Sequence, residues 1–198
     1  MAKLAAAIGP IVDMQHHPFG NSYFPTAACG GGPYDADVRH CFEKRCAGID
    51  NPPADCFAAN VSSIIAQHGH QEYEFNRVQA CAKDITVAQG EAWYSRYWTF
   101  AKCVEDHYDE GIGCSKACAV TANFTNTESD YVQKCLTTSA GDASVIREAK
   151  ATIDHIGTPT VIVAGKTSDP DSALADVCAA YTGPEPAGCI GVRKGQCI

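Results

Sequence analysis

The side chains best able to do chemistry in this chain are its twelve cysteines, spread from Cys29 to Cys197, and the polar run Gln67-His68-Gly69-His70-Gln71-Glu72. Disulfide exchange needs one thiolate to attack and a second thiol to resolve the mixed disulfide. The usual device is a C-x-x-C pair whose first thiolate sits at a helix N-terminus. No C-x-x-C occurs here, which also argues against a zinc ribbon or knuckle. The even, dispersed set Cys29, Cys41, Cys46, Cys56, Cys81, Cys103, Cys114, Cys118, Cys135, Cys178, Cys189 and Cys197 reads instead as a disulfide framework. Cys114-Ser115-Lys116-Ala117-Cys118 places a lysine between two thiols, and structural pairing of these cysteines is the expectation. Cys29-Gly30-Gly31-Gly32 is half of a redox motif and lacks its second thiol.

Two histidine groups invite a metal test. His16-His17 would lie on a strand, where neighbours point to opposite faces and share one ion poorly. His68-x-His70-x-Glu72 could converge on zinc or iron, but bracing a helix start by hydrogen bonds is the simpler use. No metal site and no cofactor are assigned. Asn60-Val61-Ser62 and Asn123-Phe124-Thr125 are glycosylation sequons and agree with a secretory route.

The elements that must position these groups come from one sizeable domain. The chain has 198 residues, 45% hydrophobic and 19% charged, with a formal net charge of -8. That balance disfavours nucleic acid and anionic membrane as partners, and no apolar run is long enough to span a bilayer. Lys3 and the run from Leu4 to Val12 mimic the start of a signal peptide, but Asp13 interrupts it and no cleavage site follows. The expectation is a sequence that starts late, from an oxidising lysosomal, lumenal or secreted setting.

Residues 2 to 8 favour helix and Gly9-Pro10 stops it. Ile11 to His17 reads as a short strand, and Pro18-Phe19-Gly20-Asn21 as a turn. Residues 22 to 60 form an irregular cysteine-rich insertion, with one short helix over Asp37 to Cys46. Residues 70 to 86 form a helix with Phe75, Val78, Ala82 and Ile85 on one face and Cys81 beside it. Glu91 to Val104 is the strongest helix, faced by Trp93, Tyr97, Phe100 and Val104. Shorter helices follow at Cys114 to Thr121, from Thr127-Glu128 through Leu136 with a capping-box start, and after Asp142. Residues 157 to 181 change period: Val161 to Ala164 is a buried strand, Gly165-Lys166 a hairpin turn, and Asp169-Pro170 opens a last helix faced by Leu174, Val177, Cys178 and Tyr181.

This order, with Gln67, His68, Gly69, Glu72, Asn76 and Cys81 at their spacing, resembles the gamma-interferon-inducible lysosomal thiol reductase family. Its signature reads C-Q-H-G-x-x-E-C-x-x-N-x-x-x-x-C. His17-Pro18-Phe19-Gly20-Asn21 looks like the V-P-Y/W-G-N stretch of that family, and the later cysteines fall in its order. The resemblance covers nearly the whole chain except residues 22 to 60. It implies an α/β, disulfide-rich, thioredoxin-like fold over residues 1 to 198, with a helical insertion over 70 to 153. It also implies a cis Thr158–Pro159 bond shaping a substrate groove, although Gly157-Thr158-Pro159 departs from the family and is closer to the G-T-P form of DsbA-like relatives.

Three departures bear on function. Ala66 and Tyr73 stand where the signature has two cysteines. The catalytic C-x-x-C of the family is not in this chain. The first strand, central in a thioredoxin sheet, is missing too, which would leave Ile11 to His17 and Thr160 to Ala164 without a shared neighbour. Upstream residues, a partner chain, or a rearranged sheet would resolve this. The resemblance therefore implies a thiol-disulfide oxidoreductase acting on protein disulfides, or a relative derived from one. The alternatives are an inactive accessory subunit of a larger assembly and a secreted cysteine-rich binding module.

Overall fold

The computed structural model describes residue 5 and residues 8–192. Ala5 and Ile8 have helical backbone; the rest of the helix expected over residues 2 to 8, and Cys197, lie outside the described residues.

Most of the chain is helical because its apolar residues recur at helical spacing. Helix α1 (Ala36–Cys46) starts at Asp35, whose carboxylate accepts from the backbone N–H groups of Asp37 and Val38 at 2.8 and 3.2 Å. Helix α2 (His70–Asp84) is the hub. Its Phe75, Val78 and Ala82 enter one core with α3 (Arg96–Asp106), α4 (Ser115–Thr121) and α5 (Asn126–Cys135). Tyr73 enters a second core with Phe19, Tyr23, Phe24, Phe42 and, from α6 (Ser139–Ala151), Val145 and Ala149. One helix thus serves two cores, which fixes the cysteine-rich insertion against the helical block.

Strand β1 (Ser22–Tyr23) pairs antiparallel with β2 (Ile65–Ala66). Strands β3 (Val161–Val163) and β4 (Lys166–Ser168) make a separate hairpin, in register Val163↔Lys166. Helix α7 (Ala173–Ala180) packs on β3. No helix among the described residues is long and apolar enough to cross a membrane.

Several expectations need correction. Ile11 to His17 is not a strand: Gly9–Ile11 is a turn of 3₁₀ helix and residues 12 to 17 are irregular. Their backbone carbonyls find side chains instead of a strand partner, with Trp93 Nε1 donating to Val12 O at 2.9 Å and Lys83 Nζ to His16 O at 2.6 Å. The described strands therefore form two small sheets rather than one shared sheet. Val161 to Ala164 is not buried either; Ile162 is 45% exposed. The strongest helix begins at Arg96, because residues 91 and 92 are irregular and 93 to 95 turn before it.

The capping box is made by Thr125 and Glu128, two residues earlier than Thr127 would place it. Asp142 does not cap α6, which begins at Ser139; it pairs with Arg77 at 2.8 Å. Helix α2 ends at Asp84, short of residue 86, and α7 begins after Ser172 rather than at Pro170.

Candidate functional site

The start of α2 is built from backbone chemistry. Gly69 is the N-cap at φ 79°, a left-handed conformation that costs a glycine little. A glycine cap offers no side chain, so Glu72 in the first turn takes the task and accepts from the His68 N–H at 2.7 Å. Its carboxylate also favours the positive end of the helix dipole. One turn on, Asn76 Nδ2 donates to Phe19 O at 3.1 Å, and Asn21 Nδ2 donates to Gln67 Oε1 at 2.6 Å. The turn at Phe19, Gly20 and Asn21 is thereby laid across the start of α2.

Gly20 marks how tight this junction is. A Cβ there would lie 3.2 Å from Glu72 Oε1, 3.7 Å from Asn76 Nδ2 and 3.9 Å from Thr158 Cγ2, and its φ is 58°. Gln67, Glu72, Asn76 and Thr158 therefore meet around one turn, although Thr158 is about eighty residues further along the chain. The Thr158–Pro159 bond is cis, and both residues are exposed. His68 is exposed and reaches Glu72 Oε2 at 3.2 Å. His70 is exposed beside Glu74 at 3.6 Å, away from His68's partner, so the H-x-H-x-E set does not converge.

From Asn21 the contacts run inward. Its Oδ1 stands 3.0 Å from His155 Nε2. His155 is packed between Asn21 and the Arg39–Glu43 pair of α1, with Nδ1 3.1 Å from Glu43 Oε1. Arg39 Nη1 donates to both Glu43 oxygens, at 2.9 and 3.0 Å, and to His155 O at 3.0 Å. Its Nη2 donates to Ile156 O at 3.1 Å. Arg39 and Glu43 are each 1% exposed. On the outer side His40 Nδ1 lies 2.8 Å from Asp154 Oδ1. Here an open groove of about 510 Å³ is lined by His40, Lys44, Asp154, His155 and Ile156.

Burial dominates the electrostatics. It pushes the Glu43 carboxyl up to about 7, against the pull of Arg39. Burial also lowers His155, favouring the neutral ring. The hydrogen bond from His40 holds Asp154 below the usual carboxylate range. His40, Glu43 and Asp154 bring three donor atoms together, but both Glu43 oxygens already accept from Arg39. The set is a charge-balanced cluster, poorly suited to a cation.

The sign of the Glu43 effect is testable. The unfolded carboxyl titrates near 4.5 and the folded one near 7. The folded state therefore binds the extra proton between these values, and its stability contribution falls as pH rises through them. Melting curves of wild type and Glu43→Gln across that range should show wild type losing stability relative to the variant as pH rises, levelling off above about 7. A difference independent of pH would refute this assignment.

A second buried centre serves structure. Burial pushes Glu148 up, but hydrogen bonds from His17 and Lys83 and the charges of Lys83 and Arg147 outweigh it and hold the carboxyl low. His17 Nδ1 stands 3.3 Å from Glu148, while His16 Nδ1 meets Tyr97 OH at 2.5 Å. The adjacent histidines thus diverge. Burial lowers His16 to about 4.

Ten of the described cysteines are paired: Cys29–Cys41, Cys46–Cys56, Cys81–Cys135, Cys103–Cys118 and Cys178–Cys189, with Cα–Cα distances of 5.5–6.3 Å. Cys118 pairs with Cys103 rather than Cys114, because α3 and α4 face each other there. Cys114 has no disulfide partner among the described residues and is half-buried, and burial with the charges of Glu110 and Glu105 raises its thiol. Five disulfides mark a chain that matures in an oxidising, non-cytosolic compartment. Both sequon residues, Asn60 and Asn123, are exposed.

The groups that sequence reading missed are Arg39, His40, Glu43, Asp154 and His155. The available signal was the helical spacing of Arg39, His40 and Glu43, and an Asp-His pair just before Gly157-Thr158-Pro159. No protein-family model matches this chain, and no curated protein or solved structure matches it.

Proposed function

We propose that this chain is a derived relative of the lysosomal thiol reductase family, of thioredoxin-like descent. Its own cysteines hold the fold, and it works as a disulfide-stapled accessory or binding unit in a lysosomal, lumenal or secreted setting. The observation that carries this reading is how the signature side chains are used. Gln67, Glu72 and Asn76 are engaged in bonds that brace the start of α2 and the turn over it. Cys81 is buried in a disulfide to α5. The described free thiol, Cys114, is raised rather than activated, which is the wrong direction for a nucleophile. The groove beside His155 and the exposed Thr158–Pro159 loop form the accessible face for a partner.

A second reading, a disulfide reductase acting on protein substrates, is favoured by the exposure of Thr158 and Pro159 next to the signature residues. Insulin reduction separates the two. The expected result is no turnover above a Cys114→Ser control, in the presence of a small dithiol as electron donor. Turnover that Cys114→Ser abolishes, or a trapped mixed disulfide between insulin and a cysteine of the chain, would establish the reductase reading and remove the accessory one.

A further inference from the structure

Helices α3 and α4 carry two pairs of sulfur and nitrogen ligands at matching intervals. Cys103 and His107 are four residues apart across the end of α3, and Cys114 and Cys118 four apart across the start of α4. On helical backbone that spacing puts each pair on one face. Cys114 has such backbone, at φ -61° and ψ -24°. The two faces meet: Cys103 and Cys118 are bonded, with Cα atoms 5.5 Å apart. His107 Nδ1 lies 4.0 Å from Cys103 Sγ, and donor atoms of Cys103, His107 and Cys118 all fall within 4.8 Å of one another. His107 is exposed and Cys103 partly so, so solvent reaches this end of the helix pair.

We propose that the Cys103–Cys118 disulfide is a reversible redox site whose reduced form binds a thiophilic divalent cation, Zn²⁺ by its chemistry, through Cys103, His107 and Cys118, with Cys114 turning in from outside that group as the fourth ligand. Two equivalents of a small thiol supply two electrons and two protons, becoming a disulfide themselves, and leave two thiols at Cys103 and Cys118. Zn²⁺ then displaces a proton to water from each thiol that it binds. His107 Nδ1 now sits 2.8 Å from Cys103 O, so the neutral ring shifts its proton to Nε2 to free Nδ1 for the metal. Three thiolates and one imidazole make the closed tetrahedral set typical of structural zinc. Oxidation reverses the sequence: two thiolates give up two electrons to a disulfide oxidant, and the cation is released.

This centre differs from the His40–Glu43–Asp154 cluster in its donor set. Among the described residues no cationic side chain occupies its donors, and its ligands are soft. It is also independent of the accessory reading, because it concerns cation binding and not substrate turnover.

The test uses the full chain under mild reduction with a phosphine reductant. Mass spectrometry of alkylated peptides identifies which disulfide opens first, and cobalt(II) serves as the probe ion. The expected result is that Cys103–Cys118 opens before Cys81–Cys135, followed by the intense visible bands and thiolate charge-transfer band of tetrahedral cobalt, bleached by Zn²⁺. His107→Gln and Cys114→Ser, which leave the five described disulfides intact, should each weaken cobalt binding by more than about tenfold, since even outer-shell losses cost that much at metal sites. A pale octahedral spectrum, binding unchanged in both variants, or first opening of a different disulfide would overturn the proposal.

Discussion

Replacing Arg77 by alanine is expected to destabilise the fold by about 3–6 kcal/mol, on the basis of two charge-assisted hydrogen bonds at about 1.5–3 kcal/mol each. Arg77 is 5% exposed and stands at the joint of three helices. Its Nε donates to Cys135 O at the end of α5, and its Nη2 to Thr138 O before α6, both at 2.8 Å. Its Nη1 donates to Tyr73 OH one turn back on α2. Truncation would remove the Arg77 donor from the Cys135 carbonyl in a place water enters poorly, while Thr138 O would keep only the N–H groups of Gly141 and Asp142. Asp142, the ionic partner, is 44% exposed and would simply hydrate, so it adds little. Denaturant unfolding of Arg77→Ala measures the loss. Gly141→Ala should act on the same joint, because a methyl there overlaps the Cys135 carbonyl and the Arg77 guanidinium. A loss in Arg77→Ala below about 1 kcal/mol, the size of an ordinary surface hydrogen bond, would show that the joint relaxes around the gap.

Removing the Cys81–Cys135 disulfide as the double variant Cys81→Ala/Cys135→Ala is the second large effect. The bond closes a loop of sequence separation 54, against 10 to 15 for the other four. The chain-entropy account gives about 4 kcal/mol for a loop of that length and about 3 kcal/mol for the short ones. Both sulfurs are buried between α2 and α5, at 0% and 1% exposure, so a packing loss adds to the entropy. The melting temperature should fall further in this variant than in Cys178→Ala/Cys189→Ala, at roughly 2–4 °C per kcal/mol for a chain of this size. Equal shifts in the two variants would show that the denatured chain is already compact around α2 and α5.

The helices and their buried faces were legible because period and burial are local. Phe75, Val78 and Ala82 recur at helical spacing, and all three are buried. The cysteine count pointed to staples in an oxidising compartment before any pairing was visible. What failed was non-local. Ile11 to His17 alternates like a strand, but Trp93 and Lys83 bind its carbonyls from about seventy to eighty residues away, and no local pattern encodes that. Val161 to Val163 is apolar enough for a core, yet it lies in a two-stranded hairpin with too little structure beside it to bury it.

At the candidate site, the Gln67-to-Asn76 run was readable as a set because its spacing is fixed by one loop and one helix. The sequence determined that this run would brace a helix start: a glycine cap leaves backbone N–H groups open, and Glu72 is the carboxylate within reach. It also determined that thiol exchange of the C-x-x-C kind is not encoded in these residues. Only the tertiary structure decided that Thr158 closes on Gly20, that His155 meets Arg39 and Glu43 across more than a hundred residues, and that Cys118 bonds to Cys103 rather than Cys114. The reason is physical. Spacing along a chain sets which residues share a face, whereas partners on different elements are chosen by how the faces pack, and that choice is made by the whole core at once.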